Sequence, residues 1–233
     1  MAAKGTLEVL FLHALPLDSS MWDRQRDLLP SATYAPTLYP FGESMEEWAD
    51  AALKPMKSDR LIVVGCSVGG SCALEIAAIA PDRVAALVLI GTKARHRPDP
   101  AFHASALQNI REHGLEKAWH TYWQSLFSHN ADLKVIDGAK KIALRQSEHE
   151  VARGVTVFHT RPSRDQLLRD FVNPIIVISG GDDRAPGPKI SAEQADQAQQ
   201  GRFHAVPECG HYVPLERPAT LNTILRKLIC DHQ

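Results

Sequence analysis

The stretch that decides the fold is residues 61–70, Leu-Ile-Val-Val-Gly-Cys-Ser-Val-Gly-Gly. A run of β-branched and other apolar residues leads into Gly65-x-Ser67-x-Gly69, and small residues follow. This order predicts a buried strand, a sharp turn at the serine and then a helix. The turn strains the serine backbone and brings strand and helix so close that only glycine fits two positions before and after it. Ser67 is therefore the candidate nucleophile.

A serine hydroxyl is a weak nucleophile, so the hypothesis requires a base and an acid later in the chain. His211 stands on a loop after Gly210, between a short predicted strand and a final helix. Further upstream, the apolar run 174–179 predicts a buried strand that opens into Gly-Gly-Asp182-Asp183. One of these two aspartates should orient the imidazole and stabilise its charged form. The residues alone leave both open.

These motifs resemble those of the α/β-hydrolase superfamily, in particular its small carboxylesterases and enol-lactonases. The resemblance covers nearly the whole chain and rests on four motifs in the family order, at residues 12–22, 65–69, 180–183 and 210–218. It implies an α/β fold with a mostly parallel central sheet flanked by helices, and a small helical cap. It also implies Asp183 as the acid, three residues after the glycine that ends its strand, with Asp182 as the alternative.

The resemblance further implies an oxyanion hole built from the backbone N–H groups of Leu15 and Val68. In the family, a His-Gly pair follows the first core strand, whereas this chain has His13-Ala14 at that place. Relatives also often carry a glycine where this chain has Pro40. The implied chemistry is the hydrolysis of a carboxylic ester or lactone of a small to medium, largely apolar substrate through an acyl-enzyme intermediate, and it requires no cofactor.

Strands alternate with helical patterns, which favours one mostly parallel sheet covered on both faces. Strands are predicted at 7–12, 32–37, 60–65, 84–90, 174–179 and 202–206, and helices at 19–29, 44–57, 68–80, 190–199 and 217–230. Residues 1–92 and 171–233 are predicted to form the α/β-hydrolase core. Residues 93–170 are polar, helical and rich in histidine, and we expect them to form a cap of about four short helices.

The cap should form the roof of the substrate pocket, and its aromatic residues are candidates for the pocket wall. Trp119, Tyr122, Trp123 and Phe127 recur at spacings that place several of them on one helical face. Together with Phe158, the residues Trp119, Trp123 and Phe127 are the predicted substrate-binding residues. An equally strong interpretation is that this stripe is the packing surface of the cap itself.

Two other features of the cap bear on ligands. Arg161 and Arg164 could meet a substrate carboxylate, but exposed arginines at a hinge of the cap are the favoured interpretation. Seven of the eleven histidines lie in this segment, and none has the spacing of a metal-ligand motif. We therefore expect no metal site.

Composition narrows the function classes. The 233 residues are 44% hydrophobic, which suffices for one large core, and the formal charge of −1 argues against binding to nucleic acid or acidic membranes. Neither a secretion signal nor a long apolar run is evident, so a soluble, cytoplasmic protein is expected. Its four cysteines are expected to be reduced, with Cys66 and Cys209 as small buried side chains. Oligomeric state is not encoded in any motif.

Ester hydrolysis is the favoured function, and the same residues leave alternatives open. A serine at the sharp turn after the strand argues against haloalkane dehalogenase and epoxide hydrolase chemistry, which needs a carboxylate nucleophile. In related proteins the same triad cleaves carbon–carbon bonds, amides or acyl-homoserine lactones, or performs hydroxynitrile lyase and perhydrolysis chemistry. A ligand receptor that turns over slowly is an alternative of a different class.

Overall fold

A computed structural model describes residues 6–233, in which six strands form a single sheet. The strands are β1 (Leu7–Leu12), β2 (Thr33–Tyr34), β3 (Arg60–Cys66), β4 (Val84–Ile90), β5 (Ile175–Gly180) and β6 (Gly201–Val206). They lie in the order β2-β1-β3-β4-β5-β6, and every neighbouring pair is parallel. The predicted fold class, a mostly parallel sheet flanked by helices, is confirmed.

Because all six strands are parallel, the loops that follow them lie at one edge of the sheet. Val9 of β1 faces Ile62 of β3, and Val64 of β3 faces Val88 of β4. These central strands are buried on both faces, as their continuous apolar sequences require. Since ligands in such sheets bind outside the carboxyl ends of the strands, this edge is where the functional residues are expected.

Nine helices are described in residues 6–233. They are α1 (Met45–Leu53), α2 (Val68–Ile79), α3 (Pro100–Ala118), α4 (Leu133–Leu144), α5 (Glu148–Thr160), α6 (Asp165–Asp170), α7 (Pro188–Gln197), α8 (Val213–Glu216) and α9 (Pro218–His232). Helix α2 packs on β3 and β4, and α7 packs on β5 and β6. Helices α3 to α6 lie between β4 and β5, within the segment 93–170, which we call the helical insertion. Gly114 breaks α3 with non-helical backbone angles.

The predicted helix over 19–29 is wrong. The chain there forms two short 3₁₀ turns, Ser19–Trp22 and Arg26–Leu28. The Asp18 side chain accepts hydrogen bonds from the backbone N–H and the hydroxyl of Ser20, at 2.9 and 2.6 Å. This contact caps the N-terminus of the first turn, and the buried Trp22 fixes the turn in the core.

Two other elements are shorter than predicted. The strand expected over 32–37 is reduced to Thr33–Tyr34, because it lies at the sheet edge and Pro36 has no N–H to donate. The helix expected over 44–57 ends at Leu53, because Pro55 has no N–H to donate to the carbonyl four residues earlier, although Lys54 before it still has helical backbone angles. The predicted strands at 7–12, 60–65, 84–90, 174–179 and 202–206 and the helices at 68–80, 190–199 and 217–230 are confirmed to within two residues at each end.

The cysteines form no disulfide bonds within residues 6–233. All four cysteines are free; Cys66 and Cys209 are fully buried, as predicted, whereas Cys230 is exposed. Burial raises the pKa of the Cys66 thiol well above its ordinary value, which keeps it protonated and unreactive.

Within residues 6–233, no helix combines the length and apolar character needed to cross a bilayer.

Candidate active site

Ser67 sits between the last residue of β3 and the first residue of α2, with φ 55° and ψ −116°. Few L-residues adopt a positive φ, so this backbone is strained. Its N–H donates to the carbonyl of Ile90 on the neighbouring strand at 2.8 Å, which holds the turn against the sheet. A serine placed in this way projects its hydroxyl from the carboxyl edge of the sheet.

The close approach predicted around the serine is confirmed at both flanking glycines. A Cβ on Gly69 would overlap the carbonyl of Leu12 and lie 2.6 Å from the His13 oxygen. A Cβ on Gly65 would overlap the carbonyl of Gly69 itself. Both glycines are therefore required by the contact between strand, helix and the loop after β1.

His211 and Asp183 form a buried pair at the same edge. Both oxygens of the Asp183 carboxylate lie 3.1 Å from His211 Nδ1. The N–H on Nδ1 therefore donates to the carboxylate, and Nε2 is left to accept a proton. Both His211 and Ser67 line the same cavity, and Asp183 contacts the Nδ1 side of the imidazole. A general base in a serine mechanism needs an orienting carboxylate on this nitrogen and a free second nitrogen.

The neighbouring aspartate makes different contacts. Asp182 accepts a hydrogen bond from the Ser128 hydroxyl at 2.5 Å, and His129 Nδ1 lies 3.4 Å from the same carboxylate. The structure thus pairs His211 with Asp183, and Asp182 belongs to a separate polar cluster under the helical insertion.

The loop that carries His211 is held by a carboxylate that sequence reasoning did not single out. Glu216, at the end of α8, accepts hydrogen bonds from the N–H groups of Gly210 and Ser128 at 3.0 Å each. The N–H of Tyr212 donates to its other oxygen at 3.3 Å. Because charge-assisted bonds to a buried carboxylate are strong, this residue fixes the backbone on both sides of His211. Its place in the 210–218 motif was the available signal.

The two predicted oxyanion-hole donors belong to the residue that follows Ser67 and to the loop after β1. Val68 begins α2, where an N–H has no partner within the helix, and Leu15 lines the cavity. Among residues 6–233, neither backbone N–H has an acceptor within hydrogen-bond distance. The carbonyls of Leu15 and Leu17 are in turn fixed by the hydroxyls of Tyr212 and Tyr39, at 3.0 and 2.7 Å.

His13 fixes the loop after β1 through hydrogen bonds and is not itself one of the predicted oxyanion-hole donors. Its Nε2 accepts from the Leu38 N–H at 2.9 Å, and its Nδ1 lies 3.1 Å from the carbonyl of Ala14. Complete burial lowers the pKa of His13 to about 4. The imidazole is therefore neutral near pH 7, and its hydrogen bond to Leu38 holds the loop after β1 in place. Ala14 is fully buried, so its methyl group is accommodated in place of the family glycine.

A cavity of about 1030 Å³ opens above Ser67 and His211. Of the predicted substrate-binding residues, Trp123 and Phe158 line it, as does Leu15. Trp119 and Phe127 do not belong to its lining. The rings of Trp119 and Phe127 pack 6.0 Å apart, and Phe127 packs 4.7 Å from the ring of Tyr212.

Trp119 and Phe127 thus follow the packing interpretation rather than the ligand-wall interpretation. The chain forms a π turn over Trp119–Trp123, which changes the angle between its first and last residues relative to an α-helix. Trp119 consequently points into the core while Trp123 reaches the cavity.

Arg161 and Arg164 are both predicted to be exposed, but Arg161 is buried and Arg164 is only partly exposed. Arg164 forms an ion pair with the buried Glu75 of α2 at 2.7 Å, which connects the helical insertion to the helix that follows Ser67. Arg161 is only 6% exposed and lines the cavity. The surrounding helices cover it, which the local sequence does not reveal.

Gly91 lies against the His–Asp pair, and sequence reasoning did not single it out, although its position directly after a core strand was a signal. Its φ is 55°, and a Cβ there would lie 2.7 Å from His211 Nδ1 and 3.2 Å from Asp183 Oδ2. We expect Gly91→Ala to displace the imidazole and lower the turnover of p-nitrophenyl butyrate about 100-fold, the usual cost of a misplacement near 1 Å.

The matched control for that variant is Gly138→Ala, because a Cβ on Gly138 in α4 meets nothing within 4 Å. Steady-state kinetics of both variants, with circular dichroism to verify folding, make the comparison. Wild-type turnover in Gly91→Ala would mean that His211 does not need this space.

Possible metal ligands are dispersed in the described part of the chain. Among residues 6–233, no three or more His, Cys, Asp or Glu side chains converge in a way that could hold a metal ion.

Comparison with known proteins places the chain in one family. The profile of the alpha/beta hydrolase family matches residues 9–224. The lipase LipV of Mycobacterium tuberculosis is 28% identical, over 95% of this chain and 93% of its own. BpoC of the same species, which is named a putative non-heme bromoperoxidase, is 26% identical. The match covers 72% of this chain and 68% of BpoC.

Among solved structures, a thermophilic esterase from Thermogutta terrifontis superposes with a TM-score of 0.88. It is 26% identical, and the match covers 97% of this chain and 90% of the esterase. With the family profile matched over nearly its whole length and the same fold, the chain belongs to the alpha/beta hydrolase family.

Proposed function

We propose that the protein is a serine hydrolase that cleaves a carboxylic ester or lactone of small to medium size through an acyl-enzyme intermediate. The observation that supports this most strongly is the convergence of a strained serine and a buried His–Asp pair on one cavity. The names of LipV and of the Thermogutta esterase support ester-bond hydrolysis as the reaction type.

In the first half-reaction, the Ser67 hydroxyl oxygen attacks the ester carbonyl while His211 Nε2 takes its proton. Asp183 stabilises the resulting imidazolium through Nδ1–H. The carbonyl oxygen becomes an oxyanion that accepts hydrogen bonds from the N–H groups of Leu15 and Val68. Each such donor contributes about 10²–10³ in turnover.

Collapse of the tetrahedral intermediate breaks the ester bond, and the alcohol leaves with the proton carried by His211. In a lactone, the alcohol remains tethered to the acyl group. Water then attacks the acyl-enzyme with His211 again acting as base, and the acid is released as Ser67 recovers its proton. Protons and electrons balance without any redox partner.

The helical insertion, residues 93–170, acts as the cap of this site in our proposal. Tyr122, Trp123 and Phe158 form an apolar part of the cavity wall. An ion pair between Arg145 and Asp18, at 2.8 Å, fastens the insertion to the loop after β1. These apolar side chains reduce the amount of water around the acyl group, which strengthens the polar interactions at the serine.

The test is a panel of p-nitrophenyl esters with acyl chains from acetate to decanoate, together with the p-nitroanilide of the best acyl group. We expect ester turnover of about 1 per second or more, with an optimum at medium chain length, and a much slower anilide. Absence of ester and lactone turnover in the folded protein, or faster cleavage of the anilide, would overturn the proposal.

A further inference from the structure

Arg161 is a nearly buried cation in the wall of the catalytic cavity. It follows the last residue of α5, and its guanidinium carbon lies 3.9 Å from the centre of the Phe158 ring. One of its N–H groups donates to the Phe158 carbonyl. Burial lowers the pKa of Arg161 to about 10, so the side chain remains charged at neutral pH.

This cation has no carboxylate partner in the described part of the chain, residues 6–233. The contrast with its neighbours is clear, because Arg164 pairs with Glu75 and Arg95 pairs with Asp165 at 3.2 Å. A buried charge without a counter-charge is costly, and natural proteins pair such groups or use them.

No carboxylate within residues 6–233 lies at ion-pair distance from Arg161; Glu75, which borders a small cleft together with Arg161, is paired with Arg164. His159 also lines the cavity, and burial together with the neighbouring cations lowers its pKa to about 4, so it is neutral at pH 7. His96 Nε2 lies 2.9 Å from the carbonyl of His159. Asp165 is engaged by Arg95 and by the Ser163 hydroxyl. Six lysines and arginines but only three acids line the cavity as a whole.

Capping of α5 does not account for this arrangement. A cation near a helix C-terminus is favourable, but one N–H bonded to the Phe158 carbonyl suffices for that role, and an exposed side chain could provide it. The guanidinium carries five N–H donors in a planar fork, whose geometry matches a carboxylate. The remaining donors have no protein acceptor within residues 6–233.

We propose that Arg161 binds a free carboxylate of the substrate. The substrate class is then an ester or lactone that carries a second, ionised carboxyl group, such as the half-ester of a dicarboxylic acid. Its apolar middle would lie along Trp123 and Phe158. This inference rests on the proposed ester hydrolysis and narrows it to acid-bearing substrates.

The experiment uses a matched pair of substrates, mono-p-nitrophenyl adipate and the same ester with its free carboxyl group methylated. The measured quantity is the ratio of kcat/KM for the charged ester to that for the neutral ester. Wild type should prefer the charged ester, and Arg161→Gln should lower the ratio by about 30-fold or more, as truncation of a buried charge pair does. Arg161→Lys, which keeps the charge but lacks the fork, should fall between them.

The control variant is Arg97→Gln, since Arg97 also lines the cavity but is exposed to solvent. Removal of an exposed charge should change the ratio by less than about threefold. An equal change in Arg97→Gln and Arg161→Gln, or equal loss of both substrates in Arg161→Gln, would overturn the specific role of Arg161. The half-esters of succinate and glutarate, run in parallel, cover shorter spans between ester and carboxylate.

A binding measurement separates this inference from the catalytic proposal. In protein carrying Ser67→Ala, adipate should raise the melting temperature, and the added Arg161→Gln change should abolish that shift. Arg161→Gln alone should not lower the melting temperature, because it removes an unpaired buried charge. If wild type cleaves neither ester, the proposed function fails while the adipate shift still tests Arg161. If esters are cleaved but the shift and the preference are absent, only the carboxylate site fails.

Discussion

Ser67→Ala is expected to lower the turnover of p-nitrophenyl butyrate by a factor on the order of 10⁴–10⁶, which is what loss of a catalytic serine costs in related mechanisms. The hydroxyl supplies the only atom that becomes acylated, so no neighbouring group can replace it. Alanine tolerates the same strained backbone at φ 55° about as well as serine, and folding should be preserved.

Ser71→Ala is the matched control for that variant. Ser71 lies one turn further along α2 and is buried, and its hydroxyl has no hydrogen-bond partner among residues 6–233. Its removal should leave turnover unchanged and stability equal or slightly higher, because an unsatisfied buried hydroxyl is lost. Turnover that survives in Ser67→Ala would move the chemistry to another residue.

Asp183→Asn is expected to lower turnover by about 10⁴, because the amide presents the wrong hydrogen-bonding pattern to His211 Nδ1 and no longer stabilises the imidazolium. Asp182→Asn should cost less than about tenfold, since Asp182 contacts Ser128 and His129 instead. Steady-state kinetics of the two variants at one pH decide between them. A larger loss in Asp182→Asn would reverse the two roles.

The local patterns of the sequence predict much of this molecule, because they reflect neighbours in the chain. The elbow around Ser67 follows from the spacing of two glycines, and the strands follow from their apolar runs. The order of the motifs then places serine, acid and histidine at one edge of a parallel sheet. This is also why the family could be recognised from four short segments.

The features that the sequence did not predict depend on contacts between distant segments. Trp119 and Trp123 stand four residues apart, yet a π turn sends only Trp123 to the cavity. Gly91 is constrained by His211, which is 120 positions away. The residues next to Arg161 in the sequence give no sign that it is buried, because helices of the folded insertion cover it. No periodicity or propensity carries such information.

The choice between Asp182 and Asp183 illustrates the same limit. Both follow β5 in one turn, and the local sequence gives each a carboxylate at the correct edge. The contacts differ because the histidine loop, held by Glu216, presents His211 to Asp183. The neighbouring carboxylate meets Ser128 from the helical insertion.

The central claim is that Ser67 is activated by His211 for attack on an acyl group. Its most direct test is reaction with a fluorophosphonate, with the adduct located by peptide mass spectrometry. We predict one adduct per chain, on the peptide that contains Ser67, and none in Ser67→Ala or His211→Ala. An adduct on another residue, or no adduct on protein that actively cleaves esters, would contradict it.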